Sequence, residues 1–464
     1  ILKRGDGISK DESRTFNFRM WLDSSNKDIW TKEDIEGKDY QVKISVVGTV
    51  KTRPKDDLYV AALIDGVESS TFPTTNKYNA SVECTRNGKK IDAKESIDWS
   101  GTEWELTTKI KSGNVRCNAT FESLAPAPNG WYEAGNGTLL ASLRDNNTLK
   151  TPITTPGAAV STADEALLAS AEDDYGTSYY FRGAVTNNYV EFANKCWRIV
   201  RVSGDGSVKL ILHNDNPTGA ANPCDAANNS ASAAFARYSG ETYKSAFNEK
   251  TDDNAYLGFM YGAAGATDYA STHANTNKST ILTNLETWYN NNISDYADKI
   301  ADTVWCNDKT NVTDTSYDPW GWTPNGYGYG KNVTYYGATQ RLISTNGRTG
   351  GTGPSLKCNS GLSKINSKVG LITADELAYA GYAAALKNTT TYLQENATDT
   401  DWLSLSPSVF FSVYAFVWSV NGGSGDFGNY SVNSDGGVRP AISLIISTTI
   451  SGGTGTSEDP YVVN

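Results

Sequence analysis

The chain has 464 residues, a formal charge of −11, and 38% hydrophobic and 11% aromatic residues, a length that favours several domains over a single core. The acidic balance argues against a nucleic-acid partner, because phosphate binding draws its affinity from Lys and Arg, and an acidic surface also repels anionic lipid. The longest apolar stretch, roughly Val409 to Val420, is interrupted by serine and is shorter than the ~20 residues of a membrane helix, so no membrane span is expected.

At the N-terminus, RTFNFRMWL sets Phe16, Phe18 and Met20 against Thr15, Asn17 and Arg19, and Val42, Ile44 and Val46 alternate in the same way. These read as two half-buried antiparallel strands. The pattern FxFRMWLD followed by KxYxVKISV resembles the last strands of small sandwich domains in secreted fibre-type and matrix-type proteins of Gram-positive bacteria. Residues 1–53 are thus expected to form a β-sandwich module that needs another strand to complete it, since an open edge pairs with something. Residues 54–123 carry LYVAALIDG, YNASVEC, EWELTTKI and VRCNATF, short strands with turn signals that predict a second small β-sandwich module. Pro, Thr, Ala and Gly dominate much of residues 124–178, and the scarcity of aromatics there predicts a linker.

A mixed head is expected over residues 179–446, followed by a tail over 447–464. KCWRIVRV and SVKLILHN flank Gly204-Asp205-Gly206, a hairpin by turn chemistry. Ile281, Leu282, Leu285, Trp288 and Tyr289 lie on one face of a predicted helix, and Thr373 followed by Glu376 is a capping-box start. Six cysteines, none in a Cys-x-x-Cys pair, and two distant histidines make a zinc site an unattractive reading. The most local pairing joins Cys84 with Cys117, Cys196 with Cys224, and Cys306 with Cys358. Such disulfides imply an extracellular or cell-surface location; six buried thiols are the alternative. Sequons at Asn79, Asn118, Asn136, Asn277, Asn311, Asn332, Asn388 and Asn396 suggest a glycoprotein, although a chain rich in Asn, Ser and Thr also makes them by chance.

Enzymatic motifs are missing: there is no Gly-x-Ser-x-Gly, and Asn325 to Asn332, NGYGYGKN, is no P-loop. The adjacent acids Asp56 and Asp57, Asp173 and Asp174, Asp252 and Asp253, and Asp375 and Glu376 read as solvated neighbours pointing apart. Arg4-Gly5-Asp6, the integrin tripeptide, reads as coincidence. Trp320, Trp322, Tyr327, Tyr329, Tyr335 and Tyr336 form either a rigid contact surface or the packing of a long loop.

Residues 402–444 alternate a framework of Trp402, Ser406, Pro407, Ala415, Trp418 and Val438 to Ala441 with aromatic and short polar positions. Together with CWRIVR, THANTNKSTI, VWCND, YYGATQRL, VGLITADELAYAG and GVRPAISL, in that order, this segment resembles the C-type-lectin-like domains of surface proteins of Gram-positive gut bacteria, a fold class shared with formylglycine-generating enzymes and with variable proteins diversified by retroelements. The resemblance implies an upstream membrane segment and a display face made of Phe410, Phe411, Ser412, Tyr414, Phe416, Asn421, Ser424, Asp426, Phe427, Asn429, Tyr430, Asn433 and Asp435. No closely spaced cysteine pair supports formylglycine chemistry, so no enzyme is expected. No cofactor is expected either, because the Glu-Pro-Asn, Gln-Pro-Asp and Trp-Asn-Asp sugar motifs are missing and Trp305-Cys306-Asn307-Asp308 is a near miss; a structural calcium ion stays open. The expected function is an adhesin that binds an unknown protein or glycan through a head on a β-sandwich stalk. The alternative is a filament or pilus subunit that self-associates by exchanging strands from residues 1–10 or from Tyr461 to Val463.

Overall fold

The structure, a computed structural model, describes residues 58–464 apart from 65–66, 70, 74–77, 101–102, 111–112, 124–130, 132–133, 239, 241 and 359. The expectations placed on residues 1–53, on Arg4-Gly5-Asp6, on Asp56 and Asp57 and on residues 1–10 as strand donors lie outside the described residues. The chain is β-rich and divides at residues 125/126 into two compact units.

In the first unit, Val67–Ser69, Leu58–Ile64, Val115–Ser123, Tyr78–Arg86 and Lys89–Lys90 form one sheet in that spatial order, and Ser96–Trp99 pairs with Trp104–Thr107 in a separate hairpin. The period-two alternation of a strand puts Val115, Cys117, Ala119 and Phe121 on the buried face. Phe121 gathers the rings of Phe72, Tyr78 and Trp104 around it. Cys84 and Cys117 lie directly opposite each other in the antiparallel pair and form a disulfide. Leu58–Ile64 pairs parallel to Val115–Ser123, a contact between strands far apart in sequence that turn chemistry does not announce.

The second unit holds an eight-stranded sheet whose main path runs Ala441–Leu444, Val208–Asn214, Lys195–Val202, Tyr189–Phe192, Tyr461–Val463, Ile450–Gly452. The expected hairpin is present, its turn closed by Asp205, whose carboxylate accepts from the Ser207 N–H and hydroxyl at 2.9 and 2.7 Å. The helix Thr280–Asn292, capped by Ser279, buries the five residues of its apolar face; Trp288 meets Trp197 of the sheet edge-on. Cys196–Cys224 and Cys306–Cys358 complete the three local disulfides. No described helix is long and apolar enough to cross a membrane.

Two boundaries need correction. The described part of residues 124–178 is no linker: Leu139–Asn146 is a helix that buries Leu139, Leu140 and Leu143, and Ala166–Asp173 pairs along its whole length with Gly176–Gly183. Leucines at i, i+1 and i+4 supply an apolar stripe without aromatics, and Glu165, wholly buried, is neutralised by Arg182 at 3.1 Å. The head unit therefore begins near residue 126 and not at 179. Nor is 447–464 a tail, since Tyr461–Val463 pairs parallel to Tyr189–Phe192 within the same chain and Tyr461 is fully buried.

Candidate functional site

A second sheet in the unit from residue 126 places the segment expected to display side chains. Its spatial order is Lys244–Ser245, Gly436–Gly437, Trp402–Phe411, Tyr414–Val420, Phe427–Ser431, with Thr334–Tyr335 paired to Trp402–Phe411. The strand Trp402–Phe411 is buried at every position up to Phe410, as a strand flanked on both edges and covered on both faces must be. The register sets Trp418 opposite Asn429 and Val420 opposite Phe427, so Trp418, Phe427 and Asn429 share one face.

That face borders a cleft of about 560 Å³, within the size range of small-molecule sites. The half-buried loop residues Trp320 and Trp322 supply its aromatic lining, with the buried Trp418 and Phe427 behind; Asp401, Asn421, Asp426 and Asn429 supply its polar lining. No Lys, Arg or His lines it among the described residues. The aromatic side is held from behind: Trp322 stacks on Phe411 at 4.5 Å between ring centres, and Trp320 packs on Trp322 and Tyr335. Asp318 ties the loop down, accepting from the N–H groups of Trp322 and Thr323 at 2.7 and 2.9 Å and from the Tyr335 hydroxyl at 2.9 Å. Burial works against its charge, but these donors outweigh it and hold the carboxyl below the usual carboxylate range.

The polar side is equally fixed. Asn421 opens the turn into Phe427–Ser431; its side-chain oxygen accepts from the Ser424 N–H and hydroxyl, both at 2.8 Å, while its amide donates to Asp401 at 2.6 Å. Gly425 completes the turn in the left-handed region, where a Cβ would meet the Asn388 carbonyl at 1.9 Å. Both walls are therefore preorganised by bonds that a ligand does not have to make.

The expected display face separates into three places. Asn421, Asp426, Phe427 and Asn429 line the cleft, with Ser424 supporting the turn. Phe411, Ser412, Tyr414 and Phe416 belong to the hairpin tip, where Ser412 has a positive φ and Tyr414 is 49% exposed. Tyr430, Asn433 and Asp435 form a further turn, in which the Tyr430 hydroxyl donates to the Asp435 carbonyl at 3.1 Å. Two members are corrected: Phe410 and Phe427 are fully buried in the main core, Phe410 because its strand is buried along nearly its whole length and Phe427 because its ring packs on Trp418 and Tyr382 at the start of the last strand of the sheet. Sequence reasoning missed Asp401, although it directly precedes the framework Trp402, and it assigned Trp418 to framework alone. Ile343, Gly347 and Ala385 carried no signal.

A second constellation, around Glu376, is saturated. Arg201 and Lys209 reach the same oxygen of Glu376 at 2.8 and 2.6 Å, and Arg201 also bonds Asp173 at 2.8 Å. Arg341 clamps Asp375 through two nitrogens and Asp308 through one. Burial tends to raise the Glu376 carboxyl, but Lys209 and Arg201 prevail and bring it down to about 2. The acids at Asp375 and Glu376, expected to point into solvent, are instead buried and paired with cations. Among the described residues, no group of three or more His, Cys, Asp or Glu could hold a metal ion. The sequons at Asn388 and Asn396 are buried, their amides donating to Ser161 and Gly381 and to His213 and Asn229 respectively, so neither is open to a glycan in the folded head.

No protein-family model, curated protein or solved structure matches the chain.

Proposed function

We propose that the chain is an extracellular adhesin whose head, residues 126–464, is C-type-lectin-like and takes its ligand in the cleft between the Trp320–Trp322 loop and the Asn421–Asn429 turn. The observation that carries the reading is the preorganised cleft itself, built where four of the residues expected to display side chains converge with an aromatic loop about a hundred residues upstream. Three disulfides support an oxidising location outside the cytoplasm. The acids around Glu376 are already paired with cations, which leaves the cleft as the candidate place for a ligand.

Binding of the purified full chain to intact epithelial cells tests the proposal. Replacing Asp426 and Asn429 together by Ala is expected to weaken binding by about tenfold or more, while Tyr414→Ala at the hairpin tip leaves it unchanged. Loss of binding with Tyr414→Ala but not with the cleft variant would move the site to the tip. Absence of any cell binding would remove the adhesin reading.

A further inference from the structure

We infer that the cleft's ligand is an uncharged oligosaccharide, lying with the apolar face of one sugar ring against Trp320 and Trp322 and its hydroxyls toward Asp401, Asn421, Asp426 and Asn429. The inference rests on the reading of the head as a ligand-binding domain and adds the chemistry of what is bound.

The cleft presents two unlike surfaces to one occupant. Rigid indole rings offer flat apolar area that costs little entropy to use. The two carboxylates offer acceptors and the two amides offer donors, the amide oxygens being already bonded by Ser424 and Ser408. A hydroxyl both donates and accepts, so a polyhydroxylated ring satisfies carboxylate and amide alike, and its C–H face has the shape and polarity that the indoles lack on their open side. An aliphatic ligand would leave the polar groups stripped of water without partners, at a cost of about 1–3 kcal/mol for each one lost. Within the cleft an anionic ligand would meet two carboxylates with no cation in the lining, Arg348 belonging only to the neighbouring cavity, a juxtaposition that disfavours binding there.

The length of the occupant follows from the cavity next door. A second cavity of about 320 Å³ shares Gly347 and Ala385 with the cleft and continues along Asn346, Arg348, Thr349 and Leu386. Gly347 makes the junction: it sits at φ 74°, and a Cβ there would meet the Pro319 carbonyl at 2.5 Å, so the turn carrying it presses directly on the loop that carries Trp320. The two cavities therefore adjoin at Gly347 and Ala385, and together they offer room for more than one sugar unit.

The test titrates the full chain, followed by tryptophan fluorescence, with neutral probes (maltotetraose, cellotetraose, chitotetraose and lacto-N-tetraose), an acidic one (sialyllactose) and cations (choline and spermine). At least one neutral tetrasaccharide is expected to bind by millimolar concentration, with both the cations and sialyllactose weaker. Trp320→Ala is expected to weaken it about tenfold; should that variant fail to fold, Asp426→Asn, which keeps the shape and removes an acceptor charge, is expected to weaken it severalfold with the melting temperature kept. Binding to epithelial cells should vanish after periodate oxidation of their glycans. If no neutral probe binds and cell binding survives periodate, the ligand is not a saccharide although the adhesin reading stands. Preferential binding of choline or spermine would likewise overturn the inference in favour of a cationic ligand.

Discussion

Phe427 and Tyr414 are both aromatic and were both expected to be displayed, yet one is fully buried and the other 49% exposed. Truncating Phe427 to Ala is expected to cost about 3–5 kcal/mol, as a cavity in a close-packed core does, whereas Tyr414→Ala is expected to stay within about 0.5 kcal/mol of the parent. Denaturant melts compare them directly, and equal losses would show the burial assignment to be wrong. His273 makes a second residue-scale case. It is fully buried, with Nε2 against the Gly328 carbonyl at 2.5 Å and Nδ1 without a partner, so protonation would leave a buried donor unmatched. Burial above all, with the charge of Lys309 adding to it, lowers its pKa to about 3. A histidine whose folded value lies below its unfolded one binds its proton mainly in the unfolded chain, so stability falls as pH drops from about 6.5 to about 3. Glu376 adds to the acid limb: its folded value of about 2 makes its contribution present above the unfolded carboxyl range and lost as pH falls toward 2. Urea melts across this window should show His273→Gln with a flatter acid limb than the parent; an unchanged slope would mean the imidazole is not the titrating group.

Elements whose signal is local were legible in the sequence. The apolar stripe of Thr280–Asn292, the capping box in which Thr373 and Glu376 bond each other's backbone, and the hairpin closed by Asp205 each depend on residues a few positions apart. Elements whose signal is distant were not. The parallel pairings of Leu58–Ile64 with Val115–Ser123 and of Tyr189–Phe192 with Tyr461–Val463 join strands that share no turn, and composition misled over residues 124–178 because leucine and alanine fill that part of the core. The same division governs the cleft. The Asn421–Asn429 turn stood out through its short polar residues, while Ile343, Gly347 and Ala385 reach the wall only through tertiary packing. On Trp402–Phe411 and Tyr414–Val420 apolar residues fall on both faces, so alternation could not tell a displayed phenylalanine from a core one.

At the scale of the whole molecule, the C-terminal strand bears on how the chain could assemble. A segment free to pair with a neighbour can be removed without harm to its own fold, whereas one already used in the chain cannot. Tyr461–Val463 lies between Tyr189–Phe192 and Ile450–Gly452 in the eight-stranded sheet, and the Asn146 amide donates to the Tyr461 hydroxyl at 3.0 Å, which binds this strand to the helix that opens the head unit. Deleting residues 457–464 is therefore expected to expose the edge of Tyr189–Phe192 and empty the site of a buried tyrosine, a loss of more than about 3 kcal/mol, and to leave a chain prone to edge-to-edge association. Differential scanning calorimetry should show the melting transition of the head displaced downward in the deleted chain, with aggregates appearing that the parent lacks. A truncated chain that melts like the parent, while shedding ordered polymers seen by electron microscopy in the parent, would instead identify the strand as a donor between subunits and return the filament reading to first place.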